Sequence, residues 1–353
     1  MNKARITILG MTGAGKTCYI MGMYDEMLNG IDGYTIVCKN GEDAVQLGNM
    51  VKNINNLSLR PEDRFPRGTN QPCSYDFLLR KGSEDIVEFS WLDYPGDIVK
   101  SKTNGDINAY NQLKSNFNQS DAVLICIDGN DLKGNSIAAK KSRVKRAARN
   151  ISSFLADYCS EHNKLPSIGF LVTKYDVCCD CTCEDEILGI IKDVYNPLFA
   201  GENTVYISII PVGIRMGFIR DGIYGQVEPI NLHLPILWGI EQFLSNEDCK
   251  YKKLVADKRA CYDTYLRILN KNLKKQNEVE VWEYFIPIYG IYKALTTPDA
   301  DKIDVLTKKA DSSRQDYEKV YNERQNIIFK RRAITNLLAS KLRIFSYKIP
   351  KKG

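Results

Sequence analysis

The stretch RITILGMTGAGKTCYIMGMYDEM, Arg5 to Met27, decides how the chain reads. It opens on a short apolar run that ends at Gly10. Its centre fits G-x-x-x-x-G-K-[ST] over Gly10 to Thr17, and a helix is expected from Lys16 to Leu28. A strand, a glycine-rich turn and a helix N-terminus in that order make an anion cradle. The glycines let backbone N–H groups turn inward on phosphates, and the helix end adds partial positive charge. Gly10, Thr12, Gly13, Ala14, Gly15, Lys16, Thr17 and Cys18 are therefore expected to line the phosphates of a nucleotide. Lys16 should reach the β- and γ-phosphates, and Thr17 should hold Mg²⁺ through its hydroxyl.

Outward from this loop, strand-like and helix-like segments alternate. GYTIVC (33–38), SYDFLLR, DIVEFSWLD, DAVLICID (121–128), IGFLVTKYD (168–176) and TVYISII (204–210) read as strands, with helices filling most gaps between them. This rhythm predicts an α/β fold with a mostly parallel sheet flanked by helices, which binds ligands at the carboxyl ends of its strands. From about Asn246 onward no strand-like run is visible. Tyr251, Val255, Tyr262, Tyr265, Leu269 and Leu273 follow helical spacing, as do Ile303, Leu306, Ala310, Tyr317, Val320, Ile327, Ile334 and Leu338. The expected division is a nucleotide-binding domain over 1–246 and a helical hairpin with a basic tail over 247–353. The hairpin's connector, VWEYFIPIYGIYKAL, is bulky and apolar.

An apolar content of 44% suits a globular core, and a net charge of +6 does not by itself argue for nucleic acid. The chain has 11 cysteines, and its first residues lack the pattern of a secretory signal. A cytoplasmic protein with reduced thiols is the expectation. No run of about 20 apolar residues suggests a bilayer-spanning helix.

Two further motifs narrow the ligand. FSWLDYPGD ends a strand at Asp93, where an acid can hold Mg²⁺ through water. Gly96 completes D-x-x-G, a sequence whose backbone N–H can face a γ-phosphate and couple the following loop to it. FLVTKYD ends another strand with Thr173, Lys174 and Asp176. A carboxylate at Asp176 can accept two hydrogen bonds from guanine N1–H and the exocyclic amine. Adenine lacks that donor pair and would leave the carboxylate unsatisfied. Lys174 can lay its stem over the base.

GMTGAGKT, DYPG and TKYD, each after a strand, resemble the Ras-like P-loop GTPases of the translation-factor-related class over about residues 4 to 246. The loop and the segment EPINLHLPILWGIEQFL are similar to the bacterial domains of double-GTPase and conflict-system proteins. The resemblance implies GTP/GDP and Mg²⁺ as ligands, with Thr69 as the residue that completes Mg²⁺ coordination. It also implies that a backbone N–H of Val212 or Gly213 approaches guanine O6. Thr173 stands where Asn is commoner. Asp97 stands where a water-orienting Gln usually follows D-x-x-G, and Thr12 crowds the path of an activating arginine. Slow GTP hydrolysis, helped by self-association or an activator, is the expectation, with Lys16, Thr69, Gly96 and Asp97 carrying it.

Other features leave alternatives open. Cys178, Cys179, Cys181 and Cys183 form either a reduced surface loop or a metal or redox site. The connector, with Trp282, Tyr284, Phe285 and Ile286, either packs on protein or touches a membrane. The tail from Lys330 through Arg331, Arg332, Lys341, Arg343, Lys348, Lys351 and Lys352 carries no acid. It fits a solvated helix, an anionic membrane, nucleic acid or a protein partner. Functionally, a GTP-binding switch signalling through its helices leads. A pseudo-GTPase scaffold without turnover is the alternative, and Asp176 argues against an ATPase.

Overall fold

The near-continuous apolar run of β5 (Ala122–Asp128) is paired on both sides and fully buried over its first four residues, as a central parallel strand requires. The structure, a computed structural model, describes residues 3–56, 58–66, 72–96, 107–161, 165–199, 205–214, 229–283, 300–342 and 346–347. In chain order the first elements are β1 (Ala4–Leu9), α1 (Lys16–Leu28), β2 (Tyr34–Cys38), α2 (Gly41–Ile54) and the short α3 (Pro61–Arg64). Next come β3 (Cys73–Lys81), β4 (Glu84–Asp93), α4 (Ile107–Gln119), β5 and α5 (Ile137–Glu161). The last are β6 (Ser167–Thr173), α6 (Glu184–Val194), β7 (Val205–Pro211), α7 (Leu234–Glu283), α8 (Ala300–Lys341) and β8 (Ser346–Tyr347).

The sheet runs β2-β3-β4-β1-β5-β6-β7-β8. The five strands from β4 to β7 are mutually parallel, while β2–β3, β3–β4 and β7–β8 pair antiparallel. The expected mostly parallel sheet flanked by helices is therefore present. β3 and β4 meet through the Lys81-Gly82-Ser83 turn, where Gly82 takes a positive φ. One expectation fails: β8 lies beyond residue 246, where no strand was anticipated, because two residues carry no readable period.

The chain divides into two units, Met1–Phe243 with Ala333–Gly353, and Leu244–Arg332. In the first, one core cluster joins β1, β5, β6 and β7 to α4, α5 and α6, with Phe117, Phe154 and Tyr158 meeting edge to face. The second takes in α7 from Leu244 to its end and α8 as far as Arg332. Asp248 accepts from Arg324 at 2.8 Å and lies 3.7 Å from Arg331, and Lys258 pairs with Asp316 at 2.8 Å. These pairs set the two helices antiparallel. Ala310, Val320 and Ile327 are its buried apolar residues on α8. The connector from Tyr284 to Tyr292 lies outside the described residues, as do Arg343, Lys348, Lys351 and Lys352 of the tail. No described helix is long and apolar enough to cross a membrane.

Candidate functional site

Strand register gathers the motifs. Ile8 lies opposite Asp93, Leu9 opposite Ile125, Asp128 opposite Thr173, and Val172 opposite Pro211. Five parallel strands thus end together, and the loops that follow β1, β4, β6 and β7 are the ones that carry the motifs.

The loop after β1 closes with Ala14 N–H donating to Met11 O at 3.1 Å. Gly13 and Gly15 adopt φ of 81° and 82°, a region that penalises any Cβ, and Gly15 caps α1. Lys16 is buried, and its ammonium folds over the loop, donating to Gly10 O at 2.8 Å and Met11 O at 3.2 Å. Cys126 of β5 is buried nearby. Burial pushes its thiol up to about 12, against the opposing pull of Lys16. Burial likewise pushes Cys18, beside Lys174, up to about 11.

Asp93 is 2% exposed, and Thr17 Oγ1 donates to its Oδ2 across a long 3.4 Å. A hydroxyl and a carboxylate facing each other are hard oxygen donors. With phosphate oxygens and water they suit Mg²⁺, which dehydrates reluctantly and rarely uses an all-protein cage. Gly96 is required by close approach: a Cβ there would lie 2.1 Å from Thr12 N and 2.8 Å from Thr12 Oγ1. The D-x-x-G segment therefore abuts the phosphate loop, with Thr12 at the contact. Thr69 and Asp97 lie outside the described residues.

The loop after β6 is tied to the same place. Thr173 Oγ1 is within 2.7 Å of Ala14 O and 3.1 Å of Ile127 O, so its hydroxyl joins the ends of β5 and β6 to the loop after β1. Lys174 takes a left-handed conformation, φ 51°, and its ammonium reaches Gly13 O at 2.8 Å and Asp128 Oδ2 at 2.6 Å. Asp176 sits in a 3-10 turn over Tyr175–Val177. A side chain at Gly213 would meet its Oδ1 at 2.8 Å. Val212 N–H donates to Val172 O at 2.8 Å and Gly213 N–H to Ile230 O at 3.2 Å, so both donors are engaged within the chain.

The cysteine run does not converge. Cys178 is buried in the core, Cys179 and Cys183 are exposed, and Cys181 Sγ leans on Cys178 O at 3.3 Å. Among the described residues no three His, Cys, Asp or Glu side chains are placed to share a metal. The loop is instead clamped from beneath by Lys140 of α5, 1% exposed, which donates to Cys181 O, Thr182 Oγ1 and Glu186 Oε1. Lys140 and Asp128 were not anticipated. Both sit in ordinary-looking sequence, and only the fold brings them under the base loop.

A model of the family Double-GTPase 2 matches residues 4–188. Among solved structures, the chain is similar to the S. cerevisiae Ski7 GTPase-like domain bound to GTP. The identity is 14% and the TM-score 0.34, over 64% of this chain and 47% of that one. The chain thus spans about half the length of that structure. No curated protein matches the sequence.

Proposed function

The chain belongs to the Double-GTPase 2 family, and on that premise we propose that it binds guanine nucleotide with Mg²⁺ and hydrolyses GTP slowly, as a switch. The observation that carries this reading is the mutual bracing of three loops. Thr173 ties the base loop to Ala14, Lys174 ties it to Gly13, and Thr17 faces Asp93. In this reading Lys16 neutralises the terminal phosphates, Thr17 and Asp93 with Thr69 hold the ion, and Asp176 selects guanine. Bound Mg²⁺ would supply charge neutralisation at the phosphate oxygens. Gly96 senses the γ-phosphate from its place against Thr12. Asp97 would place a carboxylate near an already anionic phosphate, and Thr12 would narrow access there, which together keep turnover slow. The helical region 247–353 would pass the nucleotide state to a protein partner, a second copy or an anionic surface.

Titrations of GTP, GDP and ATP into wild type and Asp176→Ala test the base assignment. Wild type should prefer guanine nucleotides by a wide margin, and the variant should lose that margin. An unchanged preference would overturn the guanine reading. Single-turnover phosphate release at several protein concentrations tests the rest. A slow rate that rises with concentration is expected. A fast, concentration-independent rate retained in Asp97→Ala would remove the slow switch, and stable binding with no release would leave a scaffold.

A further inference from the structure

We infer that Asp128 is a positioning residue for the guanine site: it fixes Lys174 as the platform under the base. This rests on the nucleotide reading above. Asp128 ends β5, one strand away from the base motif, and its two carboxylate oxygens have separate tasks. Oδ1 accepts from Asn130 N–H at 2.9 Å, capping the 3-10 turn Gly129–Leu132. Oδ2 accepts from Lys174 Nζ at 2.6 Å. With one oxygen pinned to the backbone, the carboxylate cannot rotate away, so the second stays aimed at the ammonium.

Lys174 is thereby held at three points. Its backbone is left-handed, an uncommon state for a residue with a Cβ. Its ammonium is shared between Gly13 O at 2.8 Å and Asp128. Its carbonyl lies close to the first residue after β5, where a Cβ at Gly129 would fall 2.4 Å from Lys174 O and 2.7 Å from Thr173 O. An ammonium tethered at its far end draws the methylene stem taut between strand end and phosphate loop. A taut stem offers a purine face a flat apolar contact without losing rotamer freedom on binding. The Lys174 and Asp128 side chains are 28% and 20% exposed, so the pair is only partly screened by water.

Asp128→Asn keeps an oxygen for Asn130 and removes the charge that holds Lys174. Lys174→Met keeps a stem and removes the tethered ammonium. The full-length chain and both variants, single and combined, are titrated with fluorescent GDP. Lys174 acetylation by acetic anhydride is followed by mass spectrometry in the nucleotide-free proteins. Asp128→Asn should weaken GDP roughly tenfold, as expected for losing a charge-assisted hydrogen bond that is part exposed. In the Lys174→Met background the same change should cost less than about twofold, since Asp128 acts through Lys174. Lys174 should acetylate several-fold faster in Asp128→Asn, with Lys141 unchanged.

Additive losses in the double variant, or wild-type affinity and labelling in Asp128→Asn, overturn the positioning role alone. A wild type that binds no GDP overturns the nucleotide reading and takes this role with it. The labelling then still reports whether Asp128 holds Lys174.

Discussion

Replacing Lys140 with Met tests whether the base loop is held from below by one buried charge. Lys140 donates at 2.5 Å to Cys181 O, at 2.7 Å to Thr182 Oγ1 and at 2.9 Å to Glu186 Oε1. Methionine fills most of the lysine's volume, so the packing of the stem survives and the ammonium is what is lost. Removing one partner of a buried ion pair costs about 3–5 kcal/mol, because the other charge is left desolvated. Two details lower that range here. Glu186 is 18% exposed at its side chain and can turn toward water, and Thr182 keeps its own bond to Leu132 O at 2.8 Å. Cys181 O, in a part-buried contact, loses its ammonium donor, at about 1 kcal/mol, the low end for an acceptor left unsatisfied. A net loss of about 3 kcal/mol follows. For a domain of this size roughly 2–4 °C accompanies each kcal/mol, so the melting temperature should fall by roughly 6–12 °C. Differential scanning calorimetry reads that fall, and hydrogen exchange should quicken in residues 178–187 before it does in the sheet. Lys140→Met with Glu186→Gln should recover part of the loss, since no charge is then stranded. A fall below about 2 °C, or a double variant no better than the single, would refute the clamp.

Thr173→Val should weaken GDP binding by roughly tenfold and lower stability by about 1–2 kcal/mol, because Ala14 O and Ile127 O lose a buried donor, while Thr173→Ser stays near wild type by isothermal titration. Stability should decline above about pH 9. Cys18 is held near 11, and Cys126 and Cys178 near 12, by burial. Unfolding therefore releases protons that the folded thiols keep, and the loss grows as pH rises toward those folded values. Chemical denaturation at pH 7, 9 and 10 checks the sign, and an alkaline gain would contradict it.

The elements were legible because their signals are local. The apolar run of β1, the glycines of its loop and the helical register of α1 all lie within one stretch, and the observed bounds of α1, Lys16–Leu28, match the expectation. The same holds for β3 and β4 around their turn. What could not be read is which distant carbonyl each side chain meets. Thr173 stood out as a departure from Asn, yet its use, bracing Ala14 against Ile127, exists only once β1, β5 and β6 lie side by side. Gly96 was expected to present an N–H, but its lack of a side chain is also demanded by the Thr12 backbone beside it. The partners of the Val212 and Gly213 N–H groups were hidden for the converse reason. A strand end in sequence gives no sign that Ile230 returns to claim the donor.

The return of the chain after the hairpin carries the last prediction. Ala333–Gly353 groups with Met1–Phe243, and within that unit Ile334 and Leu338 are 0% and 1% exposed. Lys341 pairs with Asp32 in the turn after α1, and β8 adds to the β7 edge at Val205 and Tyr206. Burying an Ile or Leu is worth about 1.5–3 kcal/mol each. The exposed ion pair adds about 0–1 kcal/mol. Truncation after residue 246 should therefore cost the nucleotide-binding unit about 3–6 kcal/mol, a large share of ordinary domain stability. A variant that joins residue 246 to residue 331 through a short Gly/Ser linker removes the hairpin but keeps those side chains, and should retain most of the wild-type melting temperature. Thermal unfolding of both proteins decides the matter. If the simple truncation melts as high as the linked variant, the end of α8 and β8 contribute nothing to the stability of the nucleotide-binding unit.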